Sequence, residues 1–213
     1  MRLNNSSMLL YAVTPPQQSD GYPLLYQVEE AIKAGVTCLQ LREKNLAYNE
    51  LLKLGREIKG ITDRYQIPFI INDKAELAME CHADGVHVGQ QDMEAGEVRR
   101  KIGKDKILGV SVQTVQQAVR AVQSGADYLG VGGVFPSSTK TDAQTVSHDT
   151  LRAICNTVSI PVIAIGGINQ RNILALAGSG IDGIAVVSAI FASKNIYPAV
   201  KEMYALSELV VTG

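Results

Sequence analysis

Eight short runs of Val, Ile and Leu recur along the chain, and their spacing constrains the fold more than any other feature. They occupy residues 9–13, 38–41, 69–71, 85–88, 107–112, 128–134, 161–165 and 183–187. Each is nearly continuous in apolar residues, the pattern of parallel strands covered on both faces. The longer stretches between them carry helical spacing. Leu24, Val28, Ala31 and Ile32 share one face, as do Leu51, Leu54, Ile58 and Ile61, and Val115, Ala118, Val119 and Val122. Gly35, Gly125 and Gly180 stand just before strands, where each can close a helix in the left-handed conformation. Dividing 213 residues among eight units gives roughly 27 per strand and helix, near the lower limit of an α/β (β/α)8 TIM barrel. An open doubly wound sheet is the rival, but it leaves two edges to protect. No Pro/Ser-rich linker interrupts the pattern. The expectation is a single domain, 1–213, with its core at about 9–192, a short polar N-terminal segment and a C-terminal helix.

Composition excludes several function classes. Hydrophobic residues make up 46% and charged residues 19%, so the chain can bury a core. Twenty Lys and Arg against 21 Asp and Glu give a net charge of −1, which removes a chain-wide electrostatic case for nucleic acid or anionic membrane. No apolar run approaches the roughly 18 residues of a membrane span. Cys38, Cys81 and Cys155 are odd in number and widely spaced, so they read as reduced thiols in a cytoplasmic protein. The sequence is compatible with a homo-oligomer without requiring one.

In a barrel of this kind the chemistry belongs at the C-terminal ends of the strands. The second run ends in Gln40-Leu41-Arg42-Glu43-Lys44 and the third in Asn72-Asp73. The fourth leads to Gly89-Gln90-Gln91-Asp92, and the fifth holds Ser111 and Gln113. The sixth runs on through Gly132-Gly133-Val134-Phe135-Pro136 into Ser137-Ser138-Thr139-Lys140, the seventh into Gly166-Gly167, and the eighth into Val187-Ser188. Barrel closure would bring Arg42, Lys44 and Lys140 to one mouth. Asp73 and Asp92 follow adjacent strands and, with no His or Cys beside them, suit Mg²⁺. Either acid could instead cap the helix after it, at 75 or at 93–102. The loop around Ser137–Thr139, the Gly166-Gly167 turn and Val187-Ser188 form a pattern able to cradle a phosphate with backbone amides. The residues thus suggest two anionic sites, one for a metal-bound diphosphate and one for a monophosphate.

These segments, with Asp84–Val88, Gly109-Val110-Ser111 and Ile165–Ile168, resemble the thiamine-phosphate synthase family over about residues 11–192. The resemblance implies a (β/α)8 fold and a transferase of thiamine biosynthesis. The family joins an aminopyrimidine methyl group, carried as its diphosphate, to a thiazole phosphate. It implies that Gln40, Leu41, Arg42, Glu43, Lys44, Asn72, Ser111 and Lys140 meet the pyrimidine diphosphate, with Arg42, Lys44, Ser111 and Lys140 acting in the reaction. It implies that Asp73 and Asp92 carry Mg²⁺. It also implies that Ser137, Ser138, Thr139, Gly167, Val187 and Ser188 hold the thiazole phosphate.

Two departures from the family pattern are visible: Gly132-Gly133 stands where Gly-Pro is usual, and Ser137 where Thr is usual. His82, His87 and His148 fall within or beside regular elements and read as structural or solvated. The rivals are a thiazole tautomerase of the same superfamily, which would not need the full set of diphosphate residues, and a non-catalytic phosphate-ligand sensor.

Overall fold

A computed structural model describes residues 5–16, 23–136 and 145–213. The strands are β1 (Leu10–Val13), β2 (Cys38–Leu41), β3 (Phe69–Asn72), β4 (Gly85–Val88), β5 (Ile107–Val112), β6 (Tyr128–Gly132), β7 (Val162–Ile165) and β8 (Gly183–Val186). Each pairs in parallel with the next, and β8 returns to β1, so the sheet closes into a barrel and keeps no free edge. The open-sheet alternative is thereby removed. The helices are α1 (Leu24–Ala34), α2 (Tyr48–Tyr65), α3 (Ala75–Glu80), α4 (Ala95–Ile102), α5 (Val115–Gln123), α6 (His148–Thr157), α7 (Ser188–Phe191) and α8 (Ile196–Thr212). Among the described residues no helix is long and apolar enough to cross a membrane.

The helix faces read from spacing hold for α1 and α2, which bury Leu24, Val28, Ala31 and Ile32, and Leu51, Leu54, Ile58 and Ile61. On α5 the buried residues are Ala118 and Ala121, while Val119 and Val122 are half-exposed. The small alanines, rather than the larger valines, face the core. Gly35 and Gly125 adopt positive φ as expected. Gly180 does too, but it closes no α-helix: between β7 and β8 there is only a four-residue 3-10 helix, Ile173–Leu176. Ala177, with φ −58 and ψ 141, ends the helical geometry there before an α-helix can develop.

Two cores result from the alternation of side chains along each strand. The larger lies between strands and helices and includes Leu39, Leu41, Ile71, Val86, Leu108 and Leu129. The smaller fills the barrel with Met8, Tyr11, Val13, Cys38, Ile70, Ile107, Tyr128, Ile163 and Ala185. Met8 ends a short 3-10 helix (Asn5–Met8) and is fully buried, so the N-terminal segment, polar in sequence, contributes one core residue.

The N-terminal ends of the strands share a device. Leu10, Phe69, Leu108 and Val162 donate their backbone N–H groups to side-chain oxygens of Thr37, Asp84, Asp127 and Asp182, at 2.7–2.9 Å. In return, the N–H groups of those four residues donate to the carbonyls of the same four partners. Each acceptor, one Thr and three Asp, immediately precedes an even-numbered strand, so one position locks each odd strand to the next even one at its starting register.

Candidate active site

At the opposite end of the barrel the strand exits bring charged and small residues together. Asp73 leaves β3 with φ +63, a conformation Asp tolerates better than most side chains. Its N–H donates to the His87 carbonyl at 2.8 Å, which ties the exit of β3 to β4. Asp92 folds back so that its Oδ2 accepts the Gly89 N–H at 2.7 Å. The two carboxyls lie within hydrogen-bonding reach of each other. The Asp73 carboxyl is pushed up to about 6, first by burial and then by the hydrogen bond and charge of Asp92, with Lys44 and Arg42 opposing.

Neither acid caps a helix. Lys74 occupies the cap position of α3, and Glu94 that of α4, where its side chain accepts the Glu97 N–H. The helix expected at 93–102 therefore starts two residues later, and Asp92 is left to face Asp73. The donor set is two carboxylates without His or Cys, and no group of three or more metal-capable side chains occurs among the described residues. That suits a hard divalent ion that keeps water and substrate oxygens in its remaining positions. Like charge held at close range is also the arrangement a divalent cation relieves.

The other expected residues fall into distinct environments. Gln40 is buried inside the barrel, whereas the Leu41 side chain belongs to the outer core, which leaves its backbone as the part that borders the mouth. Arg42 donates its N–H to Thr14 Oγ1 at 3.0 Å, and Glu43 accepts from the Asn45 N–H at 2.8 Å. Asn72 ends β3, half-exposed. Gly167 has φ +67; a Cβ there would stand 2.4 Å from the Pro136 carbonyl oxygen, so the turn after β7 packs against the backbone after β6. Val187 is half-buried and Ser188 exposed at the start of α7. Ser137, Ser138, Thr139 and Lys140 lie outside the described residues.

The strand interiors hold residues that inspection of strand ends misses. Gln40 Nε2 donates to Tyr11 Oη at 2.8 Å, and Tyr11 Oη lies 2.9 Å from Tyr128 Oη. Tyr128 Oη lies 2.9 Å from His87 Nδ1, and His87 Nε2 lies 2.8 Å from Ser111 Oγ. The Gln40 amide nitrogen donates into this chain, and the tautomer of His87 sets which way the remaining bonds run. Burial raises both Tyr hydroxyls well above their ordinary range, so they remain neutral donors. Gly109 makes this layer possible: a Cβ there would stand 2.2 Å from the Tyr128 ring and 2.5 Å from His87 Nδ1. His87 is thus structural as expected, yet its partner is Ser111. The available signal was a Tyr or His inside an apolar run with Gly on the facing strand.

Comparison with known proteins agrees with this geometry. Residues 10–190 match the family model described as thiamine monophosphate synthase. A thiamine-phosphate synthase of Clostridium tetani is 46% identical over 95% of this chain and 97% of its own length. Another, from Ruminiclostridium cellulolyticum, is 49% identical over 91% of this chain and 92% of its own. The solved thiamine phosphate pyrophosphorylase of Pyrococcus furiosus superposes with a TM-score of 0.89 at 35% identity, covering 97% of this chain and 98% of that one. With a barrel that brings Arg42 and Lys44 near the Asp73–Asp92 pair, and relatives matched along nearly their whole length, the chain belongs to the thiamine-phosphate synthase family.

Proposed function

We infer that this protein is the transferase that joins the aminopyrimidine methyl group of a pyrimidine diphosphate to a thiazole phosphate, giving thiamine phosphate and diphosphate. The observation that carries this reading is the Asp73–Asp92 pair at neighbouring strand exits with Arg42 and Lys44 acting on the same carboxyl. A tautomerase or a phosphate sensor has no use for that pairing.

Asp73 and Asp92 would hold Mg²⁺, which, when bound, neutralises charge on the departing diphosphate. Arg42, Lys44 and Lys140 meet the same oxygens, and their charges favour the leaving group as the carbon–oxygen bond lengthens. The electron-rich aminopyrimidine stabilises the cation left at its methylene carbon, so no protein nucleophile is required. Gln40, Asn72 and Ser111 orient the pyrimidine side of the mouth, with Gln40 and Ser111 held from below by Tyr11, Tyr128 and His87. Leu41 and Glu43 contribute through the path of the backbone between Gln40 and Lys44. Gly167, Val187, Ser188 and the segment Ser137–Thr139 hold the thiazole phosphate. Its ring nitrogen then attacks the methylene carbon at short range. Lys140 and residues 137–139 receive these roles from the family resemblance alone.

The reading extends to one functional domain over 1–213, acting without nucleic acid or membrane. The thiols of Cys38, Cys81 and Cys155 are all unpaired, which suits a cytoplasmic setting. The test is direct: incubation with both substrates and Mg²⁺ yields thiamine phosphate and diphosphate by chromatography, and omission of either substrate abolishes both. Product formation undiminished in excess chelator would overturn the metal assignment.

A further inference from the structure

The turn after β7 is held by two side chains to which no role has yet been given. Asn169 Nδ2 and Asn172 Nδ2 both donate to the Gly167 carbonyl, at 3.1 and 2.9 Å. The two are locked in turn: the Asn169 N–H donates to Asn172 Oδ1 at 2.8 Å, and the Arg171 N–H to Asn169 Oδ1 at 2.9 Å. Asn172 directly precedes Ile173, which is fully buried in the outer core. A trans peptide points its C=O and N–H in opposite directions. Holding the Gly167 carbonyl toward the asparagines therefore turns the Ile168 N–H away from them. Among the described residues neither the Gly167 nor the Ile168 N–H donates a hydrogen bond, although Ile168 is buried.

We propose that Asn172, with Asn169, is a positioning residue of the phosphate subsite: by holding the Gly167 carbonyl it presents the Ile168 amide to the phosphate of the thiazole substrate. The proposal rests on the function inferred above. Glycine at 167 leaves the following peptide little steric resistance to rotation. If it turned over, a carbonyl oxygen would face the phosphate where an N–H had stood. The paired asparagine amides favour the productive orientation before substrate arrives, so the phosphate need not induce it.

Asn172→Asp tests this, because it keeps the oxygen that accepts from the Asn169 N–H and removes the donor to Gly167. The expected result is a rise of about tenfold or more in the KM for thiazole phosphate, with kcat and the KM for pyrimidine diphosphate changed by less than about twofold. Equal changes in both KM values, or an unchanged KM for thiazole phosphate, would overturn the positioning role while leaving the coupling activity in place. An unaltered protein that forms no thiamine phosphate would instead remove the reading on which the role rests. Should the variant fail to fold, ¹⁵N–¹H spectra of the unaltered protein titrated with thiazole phosphate decide the matter. The Ile168 amide resonance is expected to move with saturation, and a resonance that stays in place would overturn the proposal.

Discussion

The two ends of the barrel use carboxylates in opposite ways. At the N-terminal end Asp84, Asp127 and Asp182 each accept a backbone N–H from the neighbouring strand, and Arg99 and Lys59 approach Asp127 and Asp84. At the C-terminal end Asp73 and Asp92 face each other, and the first gains a proton more readily for it. The same side chain is thus spent on register at one end and held at high charge density at the other. Groups at the first end should govern stability, and groups at the second should govern rate.

The largest expected effect comes from the mouth. Asp73→Asn should lower the coupling rate by roughly 10²- to 10³-fold, the order seen when one preorganised charge-stabilising group is removed. Its melting temperature should stay level or rise, since a like-charge contact is relieved. A marked fall in melting temperature with little change in rate would place Asp73 with the structural carboxylates. At the opposite end, Asp127→Ala strands the Leu108 N–H and removes the acidic partner of Arg99. A loss of about 1–3 kcal/mol is expected, or roughly 2–12 °C in melting temperature at the 2–4 °C per kcal/mol usual for this size. The rate per folded molecule should change little.

Tyr128→Phe lies between the two cases. It removes the hydroxyl that links Tyr11 to His87 and should cost about 1–2 kcal/mol. Because Gln40 and Ser111 lose part of their support, kcat should also fall, by less than it does in Asp73→Asn. Calorimetry and steady-state kinetics on one preparation separate the two effects. The smallest effect is in pH. A carboxyl raised to about 6 in the folded state contributes stability below its unfolded value near 4 and loses it as pH rises through 6. Metal-free protein should therefore melt a little higher at pH 5 than at pH 7.5. Asp92→Asn should reduce that difference. Added Mg²⁺ should stabilise more at pH 7.5 than at pH 5, because it competes with the proton for Asp73.

Much of the barrel was legible because parallel strands covered on both faces are written as continuous apolar runs, so β2, β4 and β5 begin and end where the runs do. The run at 128–134 overshoots β6 by two residues. Val134 and Phe135 still donate to the backbone of Ile165 and Gly166, but as a loop. The charged mouth was legible because Arg42 and Asp73 follow strands directly and Lys44 and Asp92 stand within a few residues of strand ends. The layer beneath it was not, since Tyr11 and Tyr128 stand 117 residues apart and each reads locally as one more apolar residue. Only closure of the sheet brings their hydroxyls together. The role of Asp92 was ambiguous for a local reason: Glu94 competes for the same helix start, and sequence alone does not say which acid wins.

The burial of Met8 beneath the barrel interior has a consequence for traffic. Its carbonyl oxygen would stand 1.8 Å from a Cβ at position 183, and among the described residues the side chains above it fill the barrel interior. The interior is thus a packed core rather than a channel. On the function inferred above, both substrates would enter and both products would leave by the mouth that Asp73, Asp92 and Gly167 border, so a slow departure of either product would obstruct the next arrival.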